Sequence, residues 1–337
     1  MSREKKIPVV SLDNLIPPYR SYKIFTFGEG NDARPLKVDD GRHGLGIGAA
    51  KKFSLADAWW LAEASTLVYD DPLTTVRDTF RAAGFDDVKF VNNSASDTQV
   101  FVAHDARRVV VAFRGTESGP RAGEVDFSHI FMDAATDAKI KRVAFGGAGA
   151  GTVHRGFKGA VESVWGELSA HLSSLRDGRR EFWLTGHSLG GALATIAAAK
   201  AAELPGFDLR GLYTFGCPLV GDKAFKTFFE TALRKTFKTD YYRFVHQQDI
   251  VTTVPPSGFG FEHMGSLKHI SGDGRIRDGV GMLEQFKNLL SGVLRRSFDA
   301  FGSVNSRVAF FIPEQLKHHV PTFYATHIWN AHVREAG

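Results

Sequence analysis

From residue 85 to about residue 250, short apolar runs alternate with longer stretches whose apolar residues recur at helical spacing. The short runs predict strands near Val88–Val91, Thr98–Ala103, Val109–Phe113, Phe182–Thr185, Gly211–Gly216 and Tyr241–Val245. Val109–Phe113 is apolar at every position, the pattern of a central strand covered on both faces. The periodic stretches predict helices. One begins at Ser54, with Asp57 closing a variant of the capping box, carries Trp59, Trp60, Leu61 and Leu67, and ends near Tyr69–Pro72. Others cover about 73–83, the stretch after His154 to about Leu175, and the alanine-rich Ala192–Ala202. A last one enters at Pro321, since proline suits a first helical turn. This alternation predicts an α/β fold, a mostly parallel sheet with helices on both faces. Ligand sites in such sheets lie at the carboxyl ends of the strands.

Outside that core the pattern is looser. Residues 1–50 are rich in proline, glycine and charge and read as an irregular N-terminal extension; residues 51–337 read as one domain. From 114 to 153 the chain is loop-like, except for an amphipathic piece at Phe127–Ala138 and a glycine run at Gly146–Gly151. Val280, Leu283, Phe286, Leu290, Val293 and Leu294 recur at helical spacing within 279–301, which predicts an inserted helix.

Composition changes this picture little. Hydrophobic residues make up 43% and charged residues 23%, as in ordinary globular proteins. The net charge is +5, with dispersed basic pairs that read as solvated faces, and no nucleic-acid motif is visible. Cys217 is the only cysteine, so no internal disulfide forms, and its apolar surroundings predict a buried thiol. The apolar run Ile7–Val10 is too short for a signal-peptide core, which leaves a cytoplasmic protein or leaderless secretion as the expectation. No apolar stretch reaches the roughly 18 residues of a membrane span. No metal-ligand spacing stands out, and no cofactor is expected.

The chemistry concentrates at Gly186-His187-Ser188-Leu189-Gly190, which lies between the strand at 182–185 and the alanine-rich helix. In that context Gly-x-Ser-x-Gly is a nucleophile elbow: a sharp turn exposes one serine hydroxyl, and its neighbours two places away must lack side chains. A serine needs an imidazole to take its proton, and the imidazole needs a carboxylate. In folds with this elbow the chain order is serine, acid, histidine. Asp249 follows the strand at 241–245 and precedes Pro255-Pro256, so it fits the acid. Asp222 fits a helix cap better, and Asp240 stands at the wrong end of its strand. His318 and His319 both lie in the loop before the last helix, and position alone does not separate them. An oxyanion hole takes backbone N–H groups from Leu189, just after the serine, and from Thr116, after the glycine turn that ends the central strand.

The segments Val109–Glu117, Val153–Phe157, Thr185–Ala194, Tyr213–Pro218 and Arg243–Val251 with Pro255-Pro256, in this order, resemble the class three, or fungal-type, lipases. The resemblance spans roughly residues 53–330 and implies an α/β-hydrolase fold and carboxylic ester hydrolysis. It implies Ser188 as nucleophile, Asp249 as acid, and Thr116 with Leu189 as oxyanion donors. It also selects His319 as the base, because such a histidine commonly stands five residues before a tyrosine, here Tyr324. Two positions depart from the pattern. Leu219 stands where an arginine is common, and His318 where an aspartate often precedes the base. The resemblance further implies that 119–151 holds a lid, with Phe127, Ile130, Phe131 and Met132 as its apolar face.

The function so implied is a lipase acting on acylglycerol esters through an acyl-enzyme, with transient contact at a lipid–water interface. A phospholipase A1 or short-chain esterase would use the same machinery. A non-catalytic interaction protein on the same fold is the reading from another class.

Overall fold

The computed structural model describes residues 26–27, 34–35, 45–46, 51–69, 73–115, 141–255, 257–279 and 318–336. The first two strands, β1 (Thr26–Phe27) and β2 (Arg34–Pro35), pair with each other alone. The main sheet is built from β3 (Asp87–Asn93), β4 (Thr98–His104), β5 (Arg108–Phe113), β8 (Glu181–His187), β9 (Leu209–Phe215), β10 (Tyr241–His246), β11 (Ser266–Ile270) and β12 (Ile276–Asp278). Its order is β12-β11-β10-β9-β8-β5-β4-β3. The pairs from β5 through β8, β9 and β10 to β11 are parallel, and the outer pairs at both edges are antiparallel. The mostly parallel α/β sheet expected from the sequence is thus present, and hairpins finish each edge.

The helices are α1 (Leu55–Leu67), α2 (Leu73–Ala82), α3 (Arg155–Ser174), α4 (Leu189–Ala201), α5 (Lys223–Ala232) and α6 (Pro321–Ala336). They cover both faces. On one, α3, α4 and α5 pack on Val109, Val111, Leu184 and Leu212. On the other, α1, α2 and α6 pack on Val110, Trp183, Tyr213 and Phe244. Trp59 of α1 meets Trp329 of α6 with ring centroids 4.6 Å apart, which ties the last helix to the first. Each such buried side chain contributes roughly 1.5–3 kcal/mol. No helix among the described residues is long and apolar enough to cross a membrane.

Every residue of α1 is buried, including its acids. Ser54 caps the helix by accepting from the Asp57 N–H at 3.2 Å, as the sequence predicts. The return half of the capping box is absent. The Asp57 carboxylate instead accepts from the Gly46 N–H at 2.8 Å, and the Ser54 N–H turns to the Tyr213 hydroxyl at 3.4 Å. Burial pushes the Asp57 carboxyl up from its ordinary 3.8 to about 6. A raised carboxyl pKa means that the folded state binds the proton more tightly. The stability it contributes is present below about pH 4 and lost as pH rises to about 6. Asp57→Asn, which still accepts from Gly46, should therefore raise the unfolding free energy at pH 7.5 by roughly 3 kcal/mol and leave it little changed at pH 3.5. Denaturant melts at the two pH values test this, and an equal effect at both would contradict it.

Several elements were not predicted. β6 (Arg142–Ala144) and β7 (Thr152–His154) form a hairpin too short for a period to show. Its tip is the glycine run, and Gly151 (φ +75°) lies so close to α5 that an added Cβ would stand 2.1 Å from the Phe225 nitrogen. β11 carries Lys268 and His269 where an apolar run would be expected. The Lys268 ammonium is accommodated because it lies 3.8 Å from the Phe53 ring centroid and pairs with Asp278. Thr116, the apolar cluster Phe127–Met132, and all but Gly279 of the predicted helix at 279–301 lie outside the described residues.

Candidate active site

The register of the sheet brings strand ends together. Phe113 of β5 stands opposite Gly186, His187 of β8 opposite Phe215, and Phe215 of β9 opposite Phe244 of β10. Ser188 follows β8 and precedes α4, with φ 57° and ψ −131°. That region is almost confined to glycine and costs a non-glycine residue on the order of 1–3 kcal/mol. Two backbone bonds hold it, Ser188 N–H to the Phe215 carbonyl at 2.9 Å and Gly191 N–H to the Ser188 carbonyl at 3.0 Å. The flanking glycines are steric requirements. A Cβ on Gly186 would stand 2.2 Å from the Gly190 carbonyl oxygen, and one on Gly190 2.2 Å from the Phe113 carbonyl oxygen. Among the described residues nothing hydrogen-bonds the Ser188 hydroxyl.

Asp249 lies three residues beyond β10 and caps the short turn Ile250–Thr253, accepting from the Val251 N–H at 3.0 Å. Its other oxygen meets two donors, His319 Nδ1 at 2.7 Å and the Tyr324 hydroxyl at 2.5 Å. Both Asp249 and His319 are fully buried. The two rival acids are elsewhere. Asp222 caps α5 through the Phe225 N–H at 2.8 Å, and Asp240 is an exposed residue ahead of β10. The histidine pair separates clearly. His319 presents its ring to Asp249, whereas His318 contributes its carbonyl, which accepts from His246 Nδ1 at 3.0 Å.

Gly216 sits between these groups at φ +60°, and a Cβ there would lie 2.7 Å from both Asp249 Oδ2 and His319 Nδ1. Since the neighbouring Phe215 holds the Ser188 N–H, one strand end bonds the serine backbone and lies directly against the carboxylate and the imidazole. A carboxylate on Nδ1 fixes the tautomer that leaves Nε2 to act as a base. Leu189 opens α4, where N–H groups lack intrahelical acceptors and carry the positive end of the helix dipole. Gly115, the residue before Thr116, packs against Tyr69 and the His187 carbonyl, where an added Cβ would be 2.0 Å from the tyrosine oxygen. Among the described residues no three His, Cys, Asp or Glu side chains converge as metal ligands. The Cys217 thiol is buried, and desolvation pushes it up to about 11; it has no part in this constellation.

Comparison with known proteins agrees with the geometry. Residues 110–259 match the family described as lipase, class 3. The matched segment runs from β5 to the loop after Asp249, so it includes both Ser188 and Asp249. The chain is 41% identical over 118 residues to the secreted mono- and diacylglycerol lipase 1 of Fusarium solani, covering 34% of this chain and 33% of that protein. It is 30% identical over 183 residues to a lipase of Rhizopus oryzae, covering 50% of this chain and 41% of that one. The chain thus spans a third to two fifths of the length of these curated relatives. Among solved structures it resembles the Rhizomucor miehei lipase propeptide complex, with a TM-score of 0.54 and 25% identity over 65% of this chain and 69% of that one. The α/β-hydrolase fold is shared.

Three side chains of the site were not assigned roles from sequence. Tyr324 appeared only as a spacing mark; on the first turns of α6 it reaches back to Asp249. His246 ends β10 and Tyr69 follows α1, and each is a single polar residue at an element end. Such residues carry no signal until the strand ends are known to meet.

Proposed function

We propose that this protein is a serine carboxylester hydrolase acting on acylglycerols. The observation that carries this reading is the buried 2.7 Å contact of His319 with Asp249 beside a serine on a positive-φ elbow. The Ser188 oxygen attacks the ester carbonyl carbon while His319 Nε2 takes its proton. The carbonyl oxygen becomes an oxyanion, held by the N–H groups of Leu189 and Thr116. Collapse breaks the bond to the alcohol, which leaves with the proton from His319, and the acyl group remains on Ser188. Water then attacks that acyl carbon, gives its proton to His319, and releases the fatty acid as Ser188 recovers its hydrogen. Asp249 stays ionised throughout and supports the imidazolium through Nδ1, while Tyr324 holds the carboxylate in place.

The names of the relatives, mono- and diacylglycerol lipase and lipase, support acylglycerols as the substrate class. A substrate of that kind is met at a lipid–water interface, so contact with that interface is part of the proposal. The test is hydrolysis of mono-, di- and triacylglycerol emulsions beside a phospholipid and a soluble short-chain p-nitrophenyl ester. Fatty acid release should be fastest from an acylglycerol. Preference for the phospholipid would reassign the substrate class, and no turnover of any ester by folded protein would overturn the reading.

A further inference from the structure

Two imidazoles outside the proposed triad converge on the segment that carries His319. His187, at the end of β8, places Nε2 2.6 Å from the His319 carbonyl oxygen. His246, at the end of β10, places Nδ1 3.0 Å from the carbonyl oxygen of the preceding residue, His318. A carbonyl oxygen only accepts, so both ring nitrogens carry hydrogen. Burial holds the His187 imidazole well below its ordinary range and lowers His246 to about 3, so both rings are neutral and their remaining nitrogens are acceptors. Each acceptor is matched. The Tyr69 hydroxyl donates to His187 Nδ1 at 3.1 Å, and the Gln247 side-chain amide stands 3.1 Å from His246 Nε2. The Gly115 N–H in turn supports the Tyr69 oxygen. The His246 backbone N–H donates to Tyr324 at 3.1 Å, and Tyr324 donates to Asp249. The His187 ring also lies against that of His319, with centroids 4.4 Å apart.

We propose that His187 and His246 are positioning residues, a pair of neutral imidazoles that grip consecutive peptide carbonyls on either side of β9 and thereby set the His319 ring against Asp249. The need for such a grip follows from chain order. His319 precedes α6, so its ring direction depends on its own peptide units, and these are what the two imidazoles hold. The Tyr69 bond ties the same grip to the turn that carries Gly115, so base and oxyanion turn share one anchor. This rests on the proposed ester hydrolysis only for its kinetic readout.

The test compares near-isosteric pairs. Glutamine keeps an N–H close to the position of His187 Nε2, and methionine does not; asparagine keeps one close to His246 Nδ1, and leucine does not. His187→Met and His246→Leu should each lower kcat by about 10- to 100-fold with KM nearly unchanged, the effect of a misplaced reacting group. His187→Gln and His246→Asn should recover most of that loss. The acid limb of the kcat/KM profile should move to lower pH in the apolar variants, because an imidazolium less well seated on Asp249 is less supported. A role confined to stability would lower the melting temperature without moving that limb. Equal kcat within either pair, both near wild type or both reduced, would overturn the proposal. Should an apolar variant not fold, its amide partner decides, and a loss of more than about 10-fold in folded His187→Gln or His246→Asn overturns it. A low-field proton resonance of His319 Nδ1–H reports the contact to Asp249 without turnover. It should persist in the amide variants and shift upfield in the apolar ones, so a failure of ester hydrolysis is distinguishable from a failure of the grip.

Discussion

Ser188→Ala is expected to lower kcat/KM for ester hydrolysis by about 10⁴-fold or more, because nucleophile and base act as a unit. The residual rate should be that supplied by the oxyanion donors and binding alone. Folding should be unchanged. Alanine meets the same positive-φ cost as serine at this elbow, and no described residue hydrogen-bonds the hydroxyl that is lost. The melting temperature should therefore match wild type while labelling by a fluorophosphonate disappears. A variant that kept half the activity, or that still took up the label, would move the nucleophile elsewhere.

His319→Ala should be nearly as damaging, also by about 10⁴-fold in kcat/KM. His318→Ala should retain turnover within about 10-fold of wild type, since the carbonyl that His246 grips belongs to the backbone and survives the substitution. The contrast between adjacent residues makes the experiment sharp, because a general loosening of the loop would affect both. Asp249→Asn should follow His319→Ala, as the amide offers its N–H to the wrong tautomer of the ring. Burial lowers His187 and His246, so neither should add a titration to the acid limb in the ordinary histidine range. Equal tolerance of the two alanine variants would send the search for the base to another histidine.

Local patterns carried much of this protein. Gly-x-Ser-x-Gly after an apolar strand specified the elbow, because a turn at φ 57° brings Gly186 against the Gly190 carbonyl and leaves no room for a Cβ there, while at Gly190 the Phe113 carbonyl of the neighbouring strand excludes one. The continuous apolar run at Val109–Phe113 specified a central strand, Ser54 and Asp222 specified helix caps, and Pro321 specified the start of α6, each through chemistry within a few residues. Asp249 could be ranked first among the acids because position relative to a strand end is a local property. Order and neighbourhood in the sheet were different. β11 was hidden by Lys268 and His269; the Lys268 ammonium is accommodated by Phe53, remote in the sequence, and by Asp278 of the paired strand, and His269 Nε2 by the Gln247 carbonyl. The choice between His318 and His319 turned on which ring faces Asp249, 70 residues earlier. The Tyr69, His187 and His246 contacts, and the reach of Tyr324 to the acid, exist only because three strand ends and two helix ends meet in space. A short-range pattern records what a residue requires of its own backbone. Only the packed structure decides which distant donor finds which acceptor.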